Sequence, residues 1–260
     1  ELDFSEGFPK KIWQSGSQSM KEDWVKQTET WTSTNKDWNY ELLTEDTTTL
    51  FVEDSFHDRP ALLAFWRDLN VPFLRAVFVR YLTMLAKGGV FSDLDTSCIK
   101  PVEEWIPLRF EERVINAVIG IEYDDSASNV FGRPVNFCQR MMMAKPGHRI
   151  FEAVVARVVY HFDYLARMQN TDIADLNIGE EDLMDATGLG VFTDAVMESL
   201  SYAMGRKVEW SEVQDLQEPK LFGDVLILPI NGFGSGQMHS HSSDPNYGDV
   251  LAQHHSDKSW

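Results

Sequence analysis

The stretch from Val71 to Asp95, VPFLRAVFVRYLTMLAKGGVFSDLD, constrains the fold more than any other part of the chain. Leu74, Val77, Phe78, Tyr81 and Leu85 recur at helical spacing, with Pro72 where a helix opens and Gly88 where one closes. The short apolar run after the two glycines predicts a core strand, and that strand ends in Asp93 and Asp95, two charges one residue apart. An amphipathic helix feeding straight into a buried strand belongs to layered α/β architecture.

The rest of the chain repeats this alternation. FPKKIWQSG and WNYELLTED read as strands near the N-terminus, and between them Met20, Trp24, Gln27 and Trp31 keep helical spacing, so the order is β-α-β. VINAVIGIEY and VNFCQRMMMAK predict buried strands. A long helix follows, with Phe151, Val155, Val158 and Phe162 on one face, then a second over VFTDAVMESLSYAMG that ends at Gly205. DVLILPI is the last strand, and a Gly-Ser-His loop follows it. The expected fold is a single Rossmann-like α/β domain over residues 1–260, with a mostly parallel sheet flanked by helices. In open sheets of this kind ligands bind beyond the carboxyl ends of the strands, which is where Asp93 and Asp95 fall.

Charge narrows the partners. With 23 basic and 41 acidic residues the chain carries a formal net charge of −18, which opposes phosphate neutralisation and argues against a nucleic-acid partner. The same charge repels an anionic small molecule unless a cation or a local basic pocket intervenes. Two carboxylates at i and i+2 on a strand end supply hard oxygen ligands suited to Mn²⁺ or Mg²⁺, and such an ion binds a diphosphate and stabilises it as a leaving group. Against this stands the plain alternative that an acidic chain places Asp-x-Asp in a solvated loop or a helix cap.

Four of the seven histidines, His239, His241, His254 and His255, lie at or beyond position 239. His241 reads as part of a polar segment, whereas His254 and His255 have a more structured setting from which imidazole can reach a metal or a phosphate. Cys98 and Cys138 leave a single bridge and two buried thiols both open. No run approaches the roughly 20 apolar residues needed to span a bilayer, and the first residue is glutamate, which reads as a trimmed chain.

PKKIWQ, WNYELLTED, LRAVFVRYLTMLAKGGVFSDLDTS and the terminal QHHSDKSW, in that order, resemble the fungal α-1,6-mannosyltransferases that initiate the outer chain on N-glycans, glycosyltransferases with an Asp-x-Asp motif and a GT-A fold. FCQRMMMAKPGHRIFEAVV and TGLGVFTDAV add to the resemblance. It implies GDP-mannose as donor, a glycan or glycoprotein acceptor, Mn²⁺ with Mg²⁺ as an alternative, and a Golgi-lumen enzyme whose full-length form is a type II membrane protein with an N-terminal anchor and stem. Carried over by position, Asp93 contacts the donor's ribose or sugar and the metal, Asp95 coordinates the metal, and His255 is a further ligand. Arg80 faces the donor and joins Asp93 and Asp95 as a catalytic residue. Trp13 and Gln14 lie beside the nucleotide base, although Trp13 reads equally well as a core aromatic. By the same resemblance Ser259 and Trp260 would close over the diphosphate.

Four positions depart from that pattern: Val77 where the family usually has aspartate, Arg140 for tryptophan, Leu189 for proline and Lys258 for glycine. Val77 takes away an expected sugar contact, and with Arg140 it keeps open another donor such as UDP-galactose or UDP-N-acetylglucosamine or an inositol-sphingolipid acceptor, while Val77 alone also suggests a weakly active paralogue serving a Golgi complex. Transfer from an α-linked donor to an α-linked product implies retention, by a covalent intermediate or by same-face attack. Nothing separates Asp182, Asp185 and Asp194 as a nucleophile, which favours same-face attack.

Overall fold

The order of elements follows the sequence pattern closely at first. Strand β1 (Lys11–Ser15) leads through helix α1 (Glu22–Thr34) to β2 (Asn39–Leu43). In the structure, a computed structural model describing residues 7–17, 19–125, 132–179 and 187–255, Thr44, inside the second expected strand segment, caps a helix. Thr44 N donates to Thr47 Oγ1 at 2.9 Å and Thr47 N returns the bond to Thr44 Oγ1 at 3.4 Å. This reciprocal cap opens α2 (Glu45–Ser55), and α3 (Pro60–Asp68) follows with proline in its first turn; the sequence pattern indicated neither helix. Helix α4 (Pro72–Ala86) then runs into β3 (Gly89–Ser92), as expected.

The join between α4 and β3 depends on the glycine pair. Gly88 and Gly89 have φ of 63° and 93°, and a Cβ on Gly89 would collide with the carbonyl oxygen of Lys11, so only glycine lets β3 lie this close to β1.

Beyond the acid pair the chain makes the short strand β4 (Thr96–Cys98), then the hairpin of β5 (Ala117–Asp124) and β6 (Val135–Ala144). Helix α5 (Arg149–Gln169), helix α6 (Leu189–Met204), strands β7 (Lys220–Phe222) and β8 (Val225–Leu228), and strand β9 (Ala252–His254) complete the main elements. The main sheet has the order β2-β1-β3-β6-β5-β8-β7, and β4 and β9 form a separate two-stranded sheet.

The sheet is more mixed than the strand-helix alternation suggests. β1 pairs in parallel with β2 and β3, and β5 with β8, but β6 is antiparallel to both β3 and β5, and β7 to β8. The cause is local: β5 and β6 are consecutive, so they return on each other, and the returning strand occupies the centre of the sheet.

Each face of the sheet carries its own core. One buries Phe78 and Leu82 of α4, Phe151 and Val158 of α5 and Phe192 of α6. The other packs Trp31, Trp105, Met141 and Phe233 between the sheet, α1 and the β4–β9 pair. Trp31 joins the layers on that side: its Nε1 donates to Thr96 O at 3.0 Å and its ring meets Trp105 edge-on at 6.0 Å. Cys98 and Cys138 are separate buried thiols, which settles the alternative left by the sequence, and burial pushes the Cys98 thiol up to about 11. Among the described residues no helix is long and apolar enough to cross a membrane.

Candidate active site at the DLD turn

β1, β2, β3, β5 and β8 all end at the same rim of the sheet, and Asp93, Leu94 and Asp95 form the turn that leaves β3 there. The backbone of this turn is tied down on three sides. Asp93 N donates to Arg140 O at 2.9 Å, while Asp93 O accepts from Thr96 Oγ1 at 2.6 Å and from Gln14 Nε2 at 3.1 Å. Gln14 is itself fixed, because its Oε1 accepts from Thr28 Oγ1 and Tyr40 OH, both at 2.9 Å. Most buried polar groups in folded proteins are satisfied in this way.

Gln14 therefore supports the turn from below, with both ends of its amide engaged. Trp13 is buried too: its Nε1 donates to Gly88 O at 2.9 Å and its ring packs 5.5 Å from Phe51. The core reading of Trp13 is the one the packing bears out. The surface beside the turn comes instead from the next residues of the strand end. Ser15 and Gly16 line a cavity of about 450 Å³ with Leu43, Thr44, Asp46 and Arg75, and a Cβ on Gly16 would strike Leu94.

The two aspartates have different electrostatic settings. Asp93 Oδ1 lies 3.2 Å from Arg80 Nη2 and Oδ2 lies 4.0 Å from Arg140 Nη1. Burial nonetheless pushes the Asp93 carboxyl above its ordinary range, against the pull of both guanidinium groups. Arg80 is 8 % exposed and is aimed by a second bond, from Nη1 to Gln139 O at 3.1 Å. Asp95 Oδ2 lies 3.0 Å from His254 Nε2. Burial would raise Asp95 too, but the hydrogen bond from His254 and the charges of His254 and Arg140 outweigh it and hold the carboxyl below its ordinary range.

The histidine at the acid is thus His254, with His255 one residue further along the chain. Antiparallel pairing sets Thr96 opposite His254, and successive side chains point to opposite faces. His255 supports the turn through its backbone, whose N donates to Asp95 O at 2.8 Å, while its ring Nε2 sits 2.8 Å from Ser97 Oγ. His241 stacks on Tyr247 and His239 packs against Tyr123, so neither ring joins the acid pair. Val77 is 5 % exposed within the core on the α4 face and offers no polar atom to a ligand. Asp194 is held by both nitrogens of an arginine fork, Arg133 Nε at 2.8 Å and Nη2 at 2.7 Å. Ser259, Trp260, Lys258, Asp182 and Asp185 lie outside the described residues.

Glu122, which the sequence did not mark, and Arg140, marked there only as a departure from the family pattern, meet beside the acid pair. Gly120 of β5 spans Cys138 to Met141 of β6, a bulge that brings Arg140 against the DLD turn. Arg140 Nε lies 3.7 Å from Glu122 Oε1, which also accepts from Gln237 Nε2 at 3.2 Å. Glu122 carries the same signal as the aspartates, a charge at the end of an apolar strand, but the strand-like IEY masks it.

Among the described residues no group of three His, Cys, Asp or Glu side chains is arranged to hold a metal. Asp95 Oδ2 and His254 Nε2, 3.0 Å apart in a hydrogen bond, would supply two ligands to an ion bound there. Divalent ions that work on phosphates commonly take one or two protein ligands and complete their shell from water and the phosphates. The donor set, one hard oxygen and one imidazole, suits Mn²⁺.

Residues 21–111, which include the DLD turn, match the family model described as glycosyltransferase sugar-binding region containing DXD motif. The initiation-specific α-1,6-mannosyltransferase of Schizosaccharomyces pombe is 33% identical over 100% of this chain and 65% of its own length. The enzyme of the same name from Candida albicans is 28% identical over 99% of this chain and 73% of its own. The putative glycosyltransferase HOC1 of Saccharomyces cerevisiae is also 28% identical, over 87% of this chain and 59% of its own. The chain thus spans about two thirds of the length of these relatives.

Proposed function

Since this chain belongs to the family of fungal initiation-specific α-1,6-mannosyltransferases, glycosyltransferases with a DXD motif, we propose that it transfers mannose from GDP-mannose to a glycan in the Golgi lumen. The observation that carries this reading is the Asp95–His254 pair on the sheet rim, with Asp93 held beside it by Arg80. Asp95 and His254 would hold Mn²⁺, which when bound neutralises the diphosphate and stabilises its departure. Arg80 orients Asp93 towards the donor, and the cavity beside Gly16 receives the nucleoside.

Retention by same-face attack fits this site best. The bond from the anomeric carbon to the β-phosphate oxygen breaks, the bond to the acceptor oxygen forms on the same face, and the acceptor's proton passes to the leaving phosphate. Asp194, bound bidentately by Arg133, is a poor nucleophile for the covalent route. The rival reading, a different sugar nucleotide or a weakly active paralogue, draws on Val77, whose burial leaves that helix face without a sugar contact.

A panel of sugar nucleotides incubated with a mannoside acceptor, with Mn²⁺ or with EDTA, tests these together. Mn²⁺-dependent transfer from GDP-mannose, giving an α-1,6 product and no glycosyl-enzyme adduct by mass spectrometry, is the expected result. Preference for a UDP-sugar would overturn the donor, binding without turnover would favour the paralogue, and a trapped adduct would overturn same-face attack.

A further inference from the structure

His254 Nε2 faces two groups at once: Asp95 Oδ2 at 3.0 Å and Arg140 Nη1 at 3.3 Å. A ring nitrogen carries either a proton or a lone pair, the first satisfying the carboxylate and the second the guanidinium, so one of the two contacts always fails. Arg140 is loosely held elsewhere as well. Its Nε is buried without a hydrogen bond, and its distances to Glu122 and Asp93 are 3.7 and 4.0 Å. Over a quarter of the side chain, 27%, remains exposed. A guanidinium among three carboxylates, with donors to spare and access to solvent, has the charge of a bound cation and the planar fork that pairs with phosphate oxygens.

We propose that Arg140 is a built-in counter-ion of this site: it neutralises the acid cluster when no divalent ion is present and pairs with the diphosphate when a nucleotide binds. The proposal rests on the nucleotide-diphosphate reading of the site but not on the identity of the sugar. A divalent ion on Asp95 and His254 resolves the conflict at Nε2, since both atoms then donate lone pairs and Arg140 is released. Two effects follow, with opposite signs. Without metal, Arg140 sustains part of the affinity for a nucleoside diphosphate. Without nucleotide, its positive charge opposes the ion.

The test measures GDP binding in EDTA by calorimetry and Mn²⁺ binding without nucleotide by electron paramagnetic resonance, on the parent, Arg140→Gln and Arg140→Lys. Removing the charge is expected to weaken EDTA-resistant GDP binding about tenfold and to tighten Mn²⁺ binding about threefold, with Arg140→Lys between the parent and Arg140→Gln in both. Unchanged GDP affinity in EDTA, or GDP and Mn²⁺ affinities that fall together as in a distorted site, would overturn the proposal. If the parent binds GDP with Mn²⁺ in either case, the functional reading survives. If it binds no GDP under any condition, both fall.

Discussion

Asp95→Ala is expected to abolish the Mn²⁺-dependent part of GDP binding, a loss of about 100-fold or more, and to take transfer activity with it. The carboxylate is one of the two protein groups proposed to hold the ion, and its removal would leave His254 as a lone ligand. The fold should survive, because the turn is held by backbone bonds: Asp95 O still accepts from His255 N, and Asp93 still bonds to Arg140 and Thr96. Calorimetry with and without Mn²⁺, beside a melting curve, separates the two effects. A variant that melts normally and retains the parent's metal-dependent affinity would remove Asp95 from the metal site. His254→Ala should weaken the same binding more than His255→Ala does, since only the ring of His254 faces the acid.

The second large effect belongs to Trp31, the indole that fastens the β4–β9 pair to α1. Trp31→Ala deletes a fully buried aromatic and leaves the carbonyl of Thr96 without its donor, at a cost of about 4 kcal/mol and about 10 °C in Tm. Its reach extends to the site. Thr96 pairs with His254, so a looser β4 also loosens the approach of His254 to Asp95, and Mn²⁺ affinity should fall along with stability. Thermal melting and Mn²⁺ titration of Trp31→Ala and Trp31→Phe check this, the phenylalanine variant keeping most of the packing and losing the N–H bond. A Tm within about 2 °C of the parent for Trp31→Ala would show that the two-stranded sheet is held by other contacts.

Much of the fold was legible because it is written in local periodicity. The stripe of α4, the glycine stop, the core strand β3 and the charged end of that strand are all consequences of residues within 25 positions of one another. Helices α2 and α3 escaped because polar threonines and a short length weaken their pattern, although the Thr44 to Thr47 cap is a sequence signal in its own right. Trp13 and Gln14 were placed on the correct strand, with the core reading of Trp13 left open and the burial of Gln14 unforeseen. Alternation tells which face a residue points to, and only the packing of α1 and β2 over that strand shows that Gln14 is sealed in and spends its amide on the DLD turn.

By itself the sequence determined the helix-to-strand succession, the position of the acid pair on the strand rim, the acidity that calls for a cation, and the family. Only the tertiary structure decided which groups meet those acids. Arg140 and Glu122 arrive through a bulge between β5 and β6, and His254 arrives through the pairing of β4 with β9, across more than 150 residues of chain. The physical reason is the register of that pairing. Side chains alternate with a period of two along a strand, so a slip of one residue would exchange His255 for His254 at the acid, and no local property of QHHSD distinguishes the two.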